Sequence, residues 1–174
     1  EVSTDDFHLG GSSFAQLLNK LGNYVPDVED PPYLIRVFDA IQQLIRDNII
    51  LAGHDVSSGG LITTLLEMTF TDNETSLDLN FDSFSQERLI PVLFSEKPAL
   101  VIQVEDKRSV ERLLKKQGIR YHEIGRVVRD ENFLIRHKGM AYKFDKKILR
   151  DSWFKTSYLL DRFQSMNEQA EERF

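Results

Sequence analysis

The run Gly53-His54-Asp55-Val56-Ser57-Ser58-Gly59-Gly60-Leu61 holds the residue types and spacing best suited to chemistry in this chain. It follows a short apolar run at residues 49–52 and precedes Leu61, Ile62, Leu65, Leu66 and Met68 at helical spacing. The pattern predicts a strand that ends in an acidic, hydroxyl-bearing loop and opens a helix at a glycine pair. Such a junction suits phosphate. Helix N-termini present N–H groups without intrahelical partners, together with the positive end of the helix dipole, and Gly59 and Gly60 would let a ligand approach them closely. Asp55 beside a phosphate is repulsive unless a cation intervenes, and Mg²⁺ is commonly held by a carboxylate plus phosphate oxygens. Asp55 is therefore the candidate metal ligand, and Ser57, with Gly59 and Gly60, the candidate phosphate contact. The same residues also have a reading that needs no ligand, with Asp55 or Ser57 capping the helix and the glycines making a tight turn. The run is neither a Walker A loop nor a dinucleotide fingerprint.

Other reactive side chains point to less. His54 is read as a positioning or packing residue. His8, His122 and His137 have no metal-ligand spacing, and the absence of cysteine removes disulfides, thiolate metal sites and a cysteine nucleophile. No residue is assigned a catalytic role. Lys107, Arg108, Arg112, Lys115 and Lys116 form a basic face that reads as solvated, and a formal net charge of -6 argues against a nucleic-acid partner. No apolar run reaches the roughly 18 residues that span a bilayer, so no membrane partner and a cytoplasmic setting are expected. The chain opens on Glu1 rather than Met, which raises the expectation of a piece of a larger polypeptide.

The elements that must position the loop follow from periodicity and punctuation. Leu9-Gly10-Gly11-Ser12-Ser13 reads as a turn whose serine caps a short helix carrying Phe14, Leu17, Leu18 and Leu21 and ended by Gly22. Asp30-Pro31-Pro32 starts a long helix with a predicted buried stripe of Leu34, Val37, Phe38, Ile41, Leu44 and Ile45, closed at Asp47 and Asn48. Further strands are predicted at 76–80, 99–104, 121–128, 133–136 and 140–144, the last two joined by a Lys138-Gly139 hairpin turn. A weak helix is predicted at 85–90 and an amphipathic one at 108–117. From residue 146 the chain reads as helical, with Trp153, Phe154, Tyr158 and Phe163 assigned to core packing. Interspersed helices and hairpin-linked strands predict an α+β fold, a mixed, mostly antiparallel sheet covered by helices. The expected division is an α+β domain at 1–150 and a helical tail or linker at 151–174.

The run His54-Asp55-Val56-Ser57-Ser58-Gly59-Gly60-Leu61, followed by Glu67-Met68, resembles the His-Asp-x-Ser-x-Gly-Gly-Leu signature of formylglycinamidine ribonucleotide synthetases. Leu9-Gly10-Gly11-Ser12 is similar to a Leu-Gly-Gly-Ser turn of that family, Phe94-x-Glu96 to its Leu-Phe-x-Glu segment, and Ile124-Gly125-Arg126-Val127 to its Ile-Gly-x-Val strand. Leu149 and Arg150 through Trp153, and Thr156-Ser157-Tyr158 with the acidic end, resemble the linker to a glutaminase domain in the large single-chain form. Nearly the whole chain is covered. The chain departs from the family pattern at Ser58, where aspartate is frequent, and at Lys97-Pro98.

The resemblance implies the second C-terminal domain of an ATP-dependent, amidine-forming ligase of purine biosynthesis, with an aminoimidazole ribonucleotide synthetase-like fold. It implies ATP or ADP and Mg²⁺ as cofactors, Asp55 as the Mg²⁺ ligand and Ser57 as a nucleotide contact. The remaining synthetase domains and the glutaminase domain are the implied partners, and the isolated chain is expected to be inactive. Whether the nucleotide turns over or is held permanently stays open. A noncatalytic docking domain of the same synthetase, or a domain of a related ATP-dependent synthetase, are the alternatives.

Overall fold

The computed structural model describes residues 7–85, 88–164 and 170. In chain order these form α1 (Ser13–Leu17), α2 (Pro31–Arg46), β1 (Ile50–Asp55), α3 (Gly60–Glu67), β2 (Ser76–Asn80), α4 (Leu89–Phe94), β3 (Leu100–Val104), α5 (Lys107–Lys116), β4 (Gly125–Val128), β5 (Asn132–His137), β6 (Met140–Asp145) and α6 (Lys146–Gln164). They fall into two compact units, one running to Met68 and then from Phe81 to Ile124, the other comprising Thr69–Asn80 and the chain from Gly125 onward.

In the first unit, β1 and β3 pair antiparallel, with His54 opposite Val101 and Asp55 opposite Leu100. Asp30 starts α2 as the sequence predicts, its carboxylate accepting the Tyr33 N–H at 3.0 Å, with prolines in the first turn where no N–H is needed. Val37, Ala40 and Leu44 of α2 form a core with Val110 and Leu114 of α5 and with Ile119. Ile50, Leu100, Ile102 and Val104 of the strands pack against it. The predicted stripe is wider than the buried face. Phe38 and Ile45 are exposed, whereas Ala40 is fully buried. A small side chain at the centre of the contact lets α2 approach its neighbours closely, and the larger residues one position round the helix fall outside it.

In the second unit the strand order is β4-β2-β5-β6, antiparallel except for the parallel β2–β5 pair. The architecture is the expected α+β, mostly antiparallel, with the strands distributed over two sheets. Leu79, Phe133, Ile135 and His137 are buried here. The Lys138-Gly139 turn joins β5 to β6 with both residues at positive φ. The strand predicted at 121–128 is shorter, beginning at Gly125, and the weak helix predicted at 85–90 forms instead at Leu89–Phe94.

α6 follows β6 without a loop and runs unbroken across position 150. Its first turn is tied down by the buried Lys146, whose ammonium donates to the carbonyl oxygens of Asp72 and Thr75. The assignment of its aromatics to the core is corrected, since Trp153, Phe154 and Phe163 are exposed, Phe163 to 90%. Its 19 residues span about 28 Å, longer than the roughly 20 Å of six-residue β6, and only the start of the helix is buried.

Candidate functional site

Asp55 is the last residue of β1, and the backbone around it is fixed from both sides. Val56 N–H donates to Ala99 O at 2.8 Å, extending the pairing with the β3 side by one residue. The buried Thr64 hydroxyl of α3 donates to Asp55 O at 3.2 Å, and His54 Nδ1 lies 2.7 Å from the same carbonyl. His54 Nε2 is 3.4 Å from a Glu67 carboxylate oxygen, so this histidine bridges the strand end and the end of α3. That agrees with its reading as a positioning or packing residue. With the backbone clamped, the Asp55 side chain projects outward, 74% exposed.

Val56 is buried and is followed by the exposed loop residues Ser57 and Ser58. The turn closes with Gly60 N–H donating to Ser57 O at 3.0 Å. Gly59 (φ +88) and Gly60 (φ +75) both occupy the left-handed region, and a Cβ on Gly60 would stand 2.7 Å from Leu93 O. Glycine is required here by conformation and by the close approach of α4. Neither Asp55 nor Ser57 caps α3. The cap residue is Gly59, which has no side chain to offer.

The capping acceptor comes from a distant residue instead. Glu96 Oε1 accepts the Gly59 N–H at 2.8 Å and also the Ser13 N–H, in the first turn of α1, at 2.8 Å. One carboxylate thus joins the Leu9–Ser12 turn, the 54–61 run and the Phe94-x-Glu96 segment. Stacking of Phe14 on Phe94, with centroids 4.5 Å apart, and donation from Ser95 Oγ to His8 O at 3.0 Å hold the same junction. Burial opposes ionisation of Glu96, but the Gly59 and Ser13 donors outweigh it and hold the carboxyl below the usual range. The site therefore carries a resident negative charge at neutral pH. Reasoning from the sequence assigned Glu96 no role, because its partners lie 37 and 83 residues away.

His122 stacks on Phe84 at 4.1 Å, and His137 is buried in the second unit. Among the described residues no group of three or more His, Cys, Asp or Glu side chains could hold a metal ion. The α5 cations are partly neutralised on their own surface, Lys107 by Glu111 and Glu123, and Lys115 by Glu111.

An α+β unit with a glycine turn at a strand-to-helix junction defines the class, and residues 2–138 match the family described as AIR synthase related protein, C-terminal domain. The chain belongs to that family. It is 37% identical over 163 residues to the probable phosphoribosylformylglycinamidine synthase, chloroplastic/mitochondrial, of Arabidopsis thaliana, covering 91% of this chain and 11% of that protein. Against the Homo sapiens phosphoribosylformylglycinamidine synthase it is 34% identical over 171 residues, covering 94% of this chain and 13% of the relative. The chain thus spans 11 to 13% of the length of these relatives. Among solved structures, PurLQS from Thermotoga maritima shares the fold at a TM-score of 0.62 and 13% identity, covering 81% of this chain and 24% of that one. T. maritima PurL complexed with ADP does so at 0.62 and 14%, covering 71% and 22%.

Proposed function

We propose that this chain is the second AIR-synthase-type C-terminal domain of a large single-chain phosphoribosylformylglycinamidine synthase, where it contributes a Mg²⁺–nucleotide phosphate loop. The full enzyme, on this reading, converts formylglycinamide ribonucleotide, glutamine and ATP to the amidine, and the domain alone is inactive. Its partners are the other synthetase domains and the glutaminase domain. The observation that carries the reading is the exposed Asp55 carboxylate at the end of a clamped strand, with the exposed Ser57 two residues on.

The donor set fits Mg²⁺. This ion binds through one or two carboxylates and keeps its remaining positions for waters and phosphate oxygens, and Asp55 is one such ligand. When bound, the cation would neutralise phosphate charge beside Asp55. Ser57 would donate its hydroxyl to a phosphate oxygen. With their own N–H groups already given to Glu96 and Ser57, Gly59 and Gly60 contribute an unobstructed surface over which the phosphates lie. Titration of the protein with Mg²⁺-ADP by calorimetry tests the assignment. The expected outcome is saturable binding in the wild type that weakens at least about tenfold in Asp55→Asn, the effect of about 1.4 kcal/mol. Equal affinity in the two proteins would remove Asp55 from the site.

A second reading, a docking domain without a nucleotide role, draws on the apolar surface of α6, where Trp153, Phe154, Leu160 and Phe163 are exposed. Nucleotide binding that ignores Asp55 would favour it.

A further inference from the structure

We infer that Glu96 is a positioning residue that makes nucleotide binding at the 54–61 loop depend on a divalent cation, an inference that rests on the nucleotide reading given above. Its basis is where the carboxylate sits. A glycine-capped helix start beside a strand end would ordinarily offer its first N–H groups to a phosphate oxygen. Here the Gly59 N–H is already donated, to Glu96 Oε1 at 2.8 Å, and the same oxygen takes the Ser13 N–H at 2.8 Å. Two backbone donors from separate helices fix this oxygen. The carboxylate therefore has a defined place, and it brings a negative charge to the position a phosphate would otherwise take.

Two consequences follow from that charge. The loop geometry is held by the chain's own groups, because Gly59 is held through Glu96 to α1, and the Ser57 carbonyl is held by Gly60 N–H at 3.0 Å. A phosphate chain approaching the loop meets two carboxylates, Asp55 and Glu96, and its own charge is repelled by both. Nucleotide without a cation is rejected, and nucleotide that brings a cation to Asp55 is accepted. Glu96 touches neither the cation nor the phosphate on this arrangement. It acts by occupying the amide donors and by its charge.

The conservative substitution separates those two effects. Glu96→Gln retains a carbonyl oxygen able to accept both N–H groups but removes the charge, so the loop keeps its shape and loses its selectivity. The experiment is calorimetric titration with ADP, once with excess Mg²⁺ and once with EDTA, on the full-length protein that carries this chain, comparing wild type, Asp55→Asn and Glu96→Gln. The quantity read is the ratio of the two dissociation constants. Glu96→Gln is expected to lower that ratio about tenfold, the size of one partly screened charge interaction, through tighter binding of Mg²⁺-free ADP with little change in Mg²⁺-ADP affinity. A residue that served only to brace the loop would leave the ratio unchanged, since bracing affects both forms of the nucleotide alike.

Glu96→Ala provides a second variant should Glu96→Gln fail to fold. It removes the charge together with the acceptor of the Gly59 and Ser13 N–H groups, and it is expected to lower the ratio by a similar factor because the repulsion of Mg²⁺-free ADP is gone in both variants. If wild type and Asp55→Asn behave as the nucleotide reading requires while the Glu96→Gln ratio, or failing that the Glu96→Ala ratio, equals that of wild type, the role of Glu96 is overturned and the site stands. If wild-type binding is independent of Mg²⁺, or Asp55→Asn equals wild type, the nucleotide reading falls and this inference falls with it.

Discussion

A single carboxylate decides much of how the loop is built, and its ionisation has a measurable cost in acid. Glu96 is partly buried, which opposes its charge, but the Gly59 and Ser13 N–H groups favour the charged form more strongly, so its folded value lies below the ordinary 4.5. A carboxyl whose value is depressed by folding adds stability that is fully present above the unfolded value. That stability is lost as pH falls through the folded one. Asp72, Asp106 and Asp130 are also lowered, chiefly by side-chain donors on Thr75, Ser109 and Asn132, so the wild type has several sources of acid sensitivity. The contribution of Glu96 is isolated by difference. Urea midpoints measured from about pH 7 to about pH 3 are expected to fall less steeply in Glu96→Gln, with a gap of roughly 1 kcal/mol at neutral pH that narrows below about pH 4.5. Parallel curves would remove the charged hydrogen bonds from the account. At this scale the sequence was legible where chemistry is local. His54 and Asp55 could be placed at a strand end from the apolar run before them, whereas a carboxylate whose partners are 37 and 83 residues distant leaves no periodic trace.

Helices and strands were legible in proportion to their local signals. Asp30-Pro31-Pro32 and Ser12 mark real helix starts, because each supplies the side-chain acceptor or the missing N–H that the first turn needs. The hairpin at Lys138-Gly139 and the strand at 76–80 are also where the pattern puts them. Width of burial was not legible. Six apolar residues of α2 share one broad stripe, but only the part that meets α5 and the strands is covered, and hydrophobicity alone does not say how much of the stripe a neighbour reaches. Paired substitutions measure the difference. Leu44→Ala, at 1% exposure and inside the cluster, is expected to cost about 2 to 5 kcal/mol, and Phe38→Ala, at 59% exposure, less than about 1 kcal/mol, read from denaturant unfolding of each variant. Equal losses would mean that Phe38 is covered in solution.

At the scale of the whole molecule, the informative feature is apolar surface left without a cover in a chain that spans 11 to 13% of its relatives' length. Periodicity assigned the α6 aromatics to a core because it detects a hydrophobic face and cannot name what lies against it. In the structure Phe70 and Phe154 contact the Trp153 ring, with centroids 5.7 and 4.7 Å away, yet the indole remains 46% exposed. Phe163, at 90% exposure, and Leu160, at 57%, extend the same helix outward. A helix of this kind is covered when a further domain lies against it, as the multidomain reading requires, or it forms a contact between copies of the chain. Trp153 is the only tryptophan in the sequence, so its fluorescence reports the surroundings of α6 without any label. In the isolated chain at low concentration the emission is expected to be red-shifted and readily quenched by acrylamide. Other tryptophans in the longer protein are to be replaced by phenylalanine, so that Trp153 alone reports there. The emission is then expected to shift to the blue and to lose accessibility to the quencher. A blue shift that instead grows with the concentration of the isolated chain would assign the surface to self-association, and an unchanged, quenchable spectrum in both proteins would mean that α6 faces solvent and docks nothing.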